Sequence, residues 1–321
     1  MIVSVLLFAV GLVLLIKGGD WFVDGATGIA RRFHLPDIVV GATVVSIGTT
    51  LPEVMVSATG AMLGQGAMAY GNAIGSIICN TALIAAISVA VNPGPVNTKS
   101  MKMPVIFFFL SAAIYCVAAY IMGEFTRPLG LILLTIFVVY MIITVRQGLK
   151  NPEQVEEEET ETKERTFLQD LFWLVVGAAL IALGADLLVD HGTIIARELG
   201  VPETVIALTF VALGTSLPEL VTTITSLRKG HASLGIGNVI GANVFNLVLV
   251  SGISVTLAPF EVPVGNLIFG RNASLLMDIP VMLTVMVLLT FPALASKKLH
   301  RWQGIILLCI YAAFCICQFA M

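Results

Sequence analysis

Ten apolar stretches, near residues 2–18, 37–62, 71–91, 104–122, 128–146, 167–189, 203–227, 235–257, 275–294 and 302–320, dominate this chain. Most are about as long as the roughly 20 helical residues that cross a 30 Å hydrocarbon core. Short polar or Gly/Pro-containing connections separate them. The pattern predicts an all-α membrane protein of ten transmembrane helices, with the lipid bilayer as its solvent. A chain that is 58% hydrophobic and 12% charged fits no other class as well. A net charge of −3, with basic residues spread through short loops, argues against nucleic acid. Nothing in the sequence marks an obligate protein partner. Met1 to Ile16 lacks a basic leader region and has an internal copy, so it reads as a retained first span. Cys79, Cys116, Cys309, Cys315 and Cys317 lack the spacing of a zinc site and read as packing residues.

The chain is also an internal duplication. A shift of 166 positions superposes Gly11 on Gly177, Asp20 on Asp186, Pro36 on Pro202 and Thr43 on Thr209. The same register continues through Gly71/Gly237, Asn80/Asn246 and Pro93/Pro259. Each copy holds five spans, an odd number, so the second must enter the membrane from the opposite side and the repeats are inverted. This divides the chain into a first five-helix repeat (1–147), an acidic linker (148–166) and a second repeat (167–321). The linker carries Glu153, Glu156 to Glu159, Glu161 and Glu164 and reads as solvated. With the N-terminus outside, the inner loops collect Arg31, Arg32, Lys99, Lys102, Arg146, Lys150, Lys163, Arg165, Arg228, Lys229, Lys297, Lys298 and Arg301, most of the 17 basic residues. The bias predicts a multi-pass protein of the cytoplasmic membrane with both termini outside and the linker in the cytoplasm.

Within the duplication, Gly48-Thr49-Thr50-Leu51-Pro52-Glu53 recurs as Gly214-Thr215-Ser216-Leu217-Pro218-Glu219. A carboxylate at membrane depth costs roughly 2.5–3.5 kcal/mol on insertion scales and therefore marks a functional site. Thr43, Ser46, Thr50, Glu53 and Ser57 fall on one helical face, as do Thr209, Ala212, Ser216, Glu219 and Thr223. Pro52 and Pro218 lack the N–H that would bond the carbonyls of Gly48 and Gly214, which predicts broken helices 2 and 7 with free carbonyl oxygens beside each acid. The third span of each half adds Asn72, Ser76 and Asn80, and Asn238, Ala242 and Asn246, with Gly71, Gly75, Gly237 and Gly241 allowing close helix approach. Two carboxylates among neutral oxygens suit a hard cation, calcium above magnesium, and no Cys or His pattern calls for a soft metal. An empty site leaves two adjacent buried acids until cations or protons occupy them, which is a physical basis for exchange. Asp20, Asp24, Asp186 and Asp190 lie at predicted span ends, and His34, His191, His231 and His300 read as surface residues.

These motifs, with Gly71-Asn72-Ala73-Ile74-Gly75-Ser76 and Gly237-Asn238-Val239-Ile240-Gly241-Ala242-Asn243, make nearly the whole chain resemble the calcium/cation antiporter superfamily, in particular prokaryotic sodium/calcium exchangers. The resemblance implies a midplane site with Glu53 and Glu219 as the main calcium ligands and Thr49, Thr50, Thr215 and Ser216 as oxygen donors. It further implies backbone carbonyls at Ser46 and Ala212, the Ser76 hydroxyl, and Asn80 and Asn246. It implies a transporter rather than an enzyme, with Ca2+ and Na+ (or H+) as transported ions and no cofactor. Some relatives carry aspartate on one third span where this chain has asparagine on both, so sodium and proton both stay open as the coupling ion. The match to Ser76 is Ala242, so a sodium site using that hydroxyl would exist in one half only. A channel would be poorly lined by two inequivalent inverted halves. An intramembrane hydrolase would need a zinc motif or a mid-span aspartate pair, and neither is present.

Overall fold

The computed structural model describes residues 2–150, 165–199, 214–264, 267–268 and 271–320. Helices carry it: α1 (Ile2–Arg32), α2 (Asp37–Met62), α3 (Gly66–Val91), α4 (Thr98–Met122), α5 (Arg127–Lys150), α6 (Phe167–Glu198), α7 (Leu217–Arg228), α8 (Ala232–Leu257), α9 (Ser274–Ser296) and α10 (Arg301–Ala320). Among the described residues, nine of these are long and apolar enough to cross a membrane, so the chain is a multi-pass membrane protein. The tenth predicted span is represented by α7, because residues 203–213 lie outside the described residues. Of the acidic linker, 151–164 also lie outside them.

Several helices start earlier or end later than hydropathy suggests. α1 runs on past the predicted end at residue 18, to Arg32, through Lys17, Asp20 and Asp24, so these acids sit inside a helix rather than at a span end. The charge they bring is answered across the molecule. Lys229, in the α7–α8 loop, places its ammonium 2.6 Å from Asp24 Oδ1 and donates to the Asp20 carbonyl at 2.8 Å. His231 Nδ1 lies 2.7 Å from Asp37 Oδ2 at the start of α2, so this histidine is engaged rather than free at the surface. At the other helix starts, polar caps extend the apolar run: Asn97 accepts from the Ser100 N–H, and Thr166 and Gln169 close a reciprocal capping box before α6.

The helices form an inner and an outer layer. In α8, 83% of the apolar window is buried inside the protein, against 17% in α10, and α3 and α2 also belong to the inner group. Leu51 and Met55 of α2 face outward while Ser46, Thr49, Thr50, Glu53 and Ser57 face in, the reverse of a soluble amphipathic helix. α1 and α6 pack along their length, and glycine makes that possible. A methyl group on Gly11 would lie 2.9 Å from the Gly184 carbonyl oxygen, and one on Gly18 would lie 3.0 Å from that of Gly177. The order of these contacts makes the two helices antiparallel, and the register of 166 converts one glycine pair into the other.

Three two-residue strand pairs supplement the helices. β1 (Gly94–Pro95) pairs with β6 (Lys298–Leu299), β2 (Glu124–Phe125) with β3 (Phe260–Glu261), and β4 (Leu267–Ile268) with β5 (Arg271–Asn272), all antiparallel. The first two pairs bind connections of one half to connections of the other.

A side chain on Gly25 would meet the Asp170 carbonyl and the Leu174 nitrogen at 2.5 Å, both main-chain atoms that cannot rotate away. Gly25→Val is therefore expected to destabilise the protein by about 1–3 kcal/mol, the usual cost of overpacking. A lowered thermal unfolding midpoint in detergent checks this.

Candidate functional site

The site is built where α2, α3, α7 and α8 meet. Helical geometry in α2 continues through Pro52, so the break expected there is absent in the first copy. The distortion lies at least about two turns earlier, where Gly41–Val45 forms a wide π-helical turn. Ser46 Oγ donates to the Gly41 carbonyl at 2.8 Å, which also accepts from the Ser46 N–H, and the buried Tyr140 hydroxyl donates to Ala42 O at 2.7 Å. The second copy differs. Thr215 and Ser216 form a turn, α7 starts at Leu217, and Pro218 occupies the first helical turn, where a missing N–H costs nothing. Thr209 and Ala212 lie outside the described residues.

Glu53 and Glu219 are both fully buried and stand close enough to repel each other, with Thr49 and Thr50 facing Glu219. Cys79 comes against Ser216 and Glu219, bringing the end of the first helical part of α3 to the start of α7. A void of about 10 Å³, room for one water, is lined by Phe22, Thr49, Pro52, Ile181 and Pro218, so both motif prolines share one wall beside α1 and α6.

Two matched hydrogen bonds join the halves. Thr49 Oγ1 donates to Asn238 Oδ1 at 3.1 Å, and Thr215 Oγ1 donates to Asn72 Oδ1 at 3.3 Å. Each partner maps onto the other by the same shift of 166. Ser46 Oγ adds contacts to the Asn238 carbonyl (3.0 Å) and Oδ1 (3.3 Å), and Asn72 Nδ2 donates to Ser57 Oγ at 2.8 Å and to the Glu53 carbonyl at 3.3 Å. Asn72 and Asn238 thus tie the ladder together. The sequence placed them in a polar row but gave no sign that they would reach across to the opposite repeat.

Several buried polar atoms on these helices and in the turn before α7 have no partner among the described residues. Thr50 Oγ1, both oxygens of Glu53 and of Glu219, Ser216 Oγ, Asn246 Oδ1 and both amide atoms of Asn80 have no hydrogen-bond partner among the described residues. Ser76 is buried on α3, one turn before Asn80. Native proteins seldom leave buried polar atoms unpaired, and an unpaired buried charge costs more than an unpaired amide or hydroxyl. No group of three His, Cys, Asp or Glu occurs among the described residues, so the arrangement offers two carboxylates with neutral oxygens. Such a donor set fits a hard cation such as calcium. Glycine again sets the approach: a side chain on Gly241 would strike Ser46 Oγ and the Ala42 backbone, and one on Gly237 the Ile38 carbonyl. No described residue comes within 4 Å of the same points at Gly71 or Gly75.

A polytopic helical protein that buries two acids together with unpartnered oxygens is of the class of membrane cation transporters. The sodium/calcium exchanger protein family matches residues 3–146 and 170–320, and the chain belongs to that family. It is 29% identical to the sodium/calcium exchanger MaX1 of Methanosarcina acetivorans over 99% of both chains. It is 34% identical to an uncharacterised membrane protein of Methanocaldococcus jannaschii over 97% of this chain and 96% of that one. A solved structure of the sodium-calcium exchanger NCX_Mj, soaked with sodium and without calcium, superposes with a TM-score of 0.79 at 31% identity over 97% of each chain.

Glu53→Gln and Glu219→Gln each remove one of two buried acids that repel each other, and each is expected to raise thermal stability in buffer without calcium or sodium by about 1–3 kcal/mol. Added calcium is expected to stabilise the wild-type protein and to leave both variants unchanged. Thermal unfolding in detergent, with and without calcium, checks both.

Proposed function

We propose that this protein exchanges calcium for sodium across the cytoplasmic membrane by alternating access, exporting Ca2+. The observation that carries the reading is the pair of buried carboxylates, one from each copy of the motif, set against each other among partner-free oxygens. Glu53 and Glu219 are the shared ligands, with Thr49, Thr50, Thr215, Ser216, Asn80, Asn246 and Ser76 as further donors and the carbonyls of Ser46 and Ala212 completing the set. Two negative charges balance one calcium ion. When calcium leaves, the same acids must be neutralised by sodium ions or protons, so occupation by one ion excludes the other.

The two halves are inverted repeats, 1–147 and 167–321, joined by the acidic linker. The antiparallel packing of α1 against α6, the matched Thr49–Asn238 and Thr215–Asn72 bonds, and the reciprocal strand pairs support this reading. Helix 2 and helix 7 supply the two distorted segments, although the first is distorted at Gly41–Val45 rather than at its proline. Both termini lie outside and the linker in the cytoplasm, following the loop charge. If more positive charge enters as sodium than leaves as calcium, each net charge draws about 2.3 kcal/mol from a 100 mV inside-negative potential, sufficient for a roughly fortyfold calcium gradient.

Proton/calcium antiport is the second reading. It is favoured by the amides at both Asn80 and Asn246, which leave Glu53 and Glu219 as the acids able to carry protons among the site residues. In proteoliposomes, an outward sodium gradient at clamped pH is expected to drive calcium uptake, and uptake driven only by a pH gradient would select the proton reading. Glu53→Gln and Glu219→Gln are expected to abolish sodium-driven uptake, and robust transport by both would overturn the assignment of the acids.

A further inference from the structure

Asn80 and Asn246 hold matching places in the two copies, and each opens a π-helical turn, Asn80–Ala85 and Asn246–Val250. Their surroundings differ. Asn246 Nδ2 donates to the Ala242 carbonyl at 3.0 Å, and the main-chain carbonyl of Asn246 accepts from Ser251 Oγ at 2.9 Å as well as from the Ser251 N–H. Of its side chain, only Oδ1 is left without a partner among the described residues. Asn80 is equally buried, yet neither Oδ1 nor Nδ2 has a partner among the described residues. The residue that matches Ser251 in the first copy is Ala85, which carries no hydroxyl.

We propose that Ser251 is a positioning residue that makes Asn246 a stationary oxygen donor, leaving Asn80 as the site amide that turns. The inference rests on the exchange reading above and extends it. A wide turn interrupts the regular i→i−4 ladder, and a hydroxyl five residues on secures the carbonyl at its start. With its backbone pinned and its N–H committed, Asn246 can rotate only by giving up a buried hydrogen bond, so Oδ1 stays aimed away from Ala242. Asn80 has no such commitment. A buried carboxamide with all its hydrogen-bonding capacity open takes whichever partner the pocket offers. It presents Oδ1 when a cation is bound and turns its NH2 toward a glutamate when the cation has left. The neutral amide then serves as a stand-in for the missing ion on each transport cycle, and the two copies do different work despite their shared motif.

The test moves the hydroxyl between the copies and measures radioactive calcium uptake into sodium-loaded proteoliposomes against calcium concentration. Ser251→Ala is expected to raise the half-saturating calcium concentration about fivefold, the equivalent of one ordinary hydrogen bond, with the maximal rate within about twofold of wild type. Ser251→Thr is expected to restore half-saturation to within about twofold. Ala85→Ser, which gives Asn80 the same anchor, is expected to lower the maximal rate about fivefold without raising half-saturation. The proposal is overturned if Ser251→Ala leaves half-saturation unchanged. It is also overturned if affinity and rate fall together and the threonine gives no rescue, the behaviour of a serine that only packs. Should Ser251→Ala fail to fold, Ala85→Ser decides alone, and an unchanged rate overturns the proposal. Absence of calcium uptake by the wild-type protein would sink the exchange reading instead. Positioning is then read from thermal stabilisation by calcium or sodium, which Ser251→Ala must weaken and Ser251→Thr must keep. Equal stabilisation of all three proteins, or none of the wild type by either ion, overturns it.

Discussion

Two carboxylates buried against one another in a protein surrounded by lipid are the condition on which this structure turns. Glu53 and Glu219 are fully buried, and no described basic residue forms an ion pair with either; Lys229, Arg32 and His231 are engaged instead with Asp20, Asp24, Asp170 and Asp37. A charge so placed costs several kcal/mol if left alone, and a pair costs more. Among the described residues neither acid has an ion-pair or hydrogen-bond partner for its carboxyl oxygens.

Setting the two acids side by side requires helices that approach one another closely. The structure achieves this with glycine contacts and with polar ties between the halves. Gly237 and Gly241 let α8 approach α2 at backbone distance, and Gly11, Gly18, Gly177 and Gly184 do the same for α1 and α6. In lipid, where apolar side chains gain little by meeting each other, close packing and interhelical hydrogen bonds supply the cohesion. Thr49–Asn238 and Thr215–Asn72 fix the distance between the two acidic motifs, so the spacing of the carboxylates is set by neutral groups.

The duplication is exact enough for a single register to relate glycines, threonines and asparagines, yet its copies have diverged where they touch the pocket. Helix continues through Pro52, whereas in the second copy a turn at Thr215 and Ser216 separates helical Gly214 from Leu217. Ser46, Ser76 and Ala85 face Ala212, Ala242 and Ser251 at matching positions. Each exchange moves a hydroxyl from one half to the other. A duplicated sequence thereby carries an asymmetric set of hydroxyls.

Hydropathy alone determined that the chain is helical and crosses the membrane many times, because a segment in hydrocarbon must satisfy its own backbone. The repeated motif likewise singled out Glu53 and Glu219, and the fold buries both. Helix ends were less legible: α1 outruns its apolar stretch because Lys229, more than 200 residues away, neutralises Asp20 and Asp24. The long-range bonds of Asn72, Asn238 and Tyr140 were not legible at all. Each depends on a carbonyl or amide brought within about 3 Å by packing, and a hydrogen bond is a matter of distance and direction that a linear order of residues does not contain.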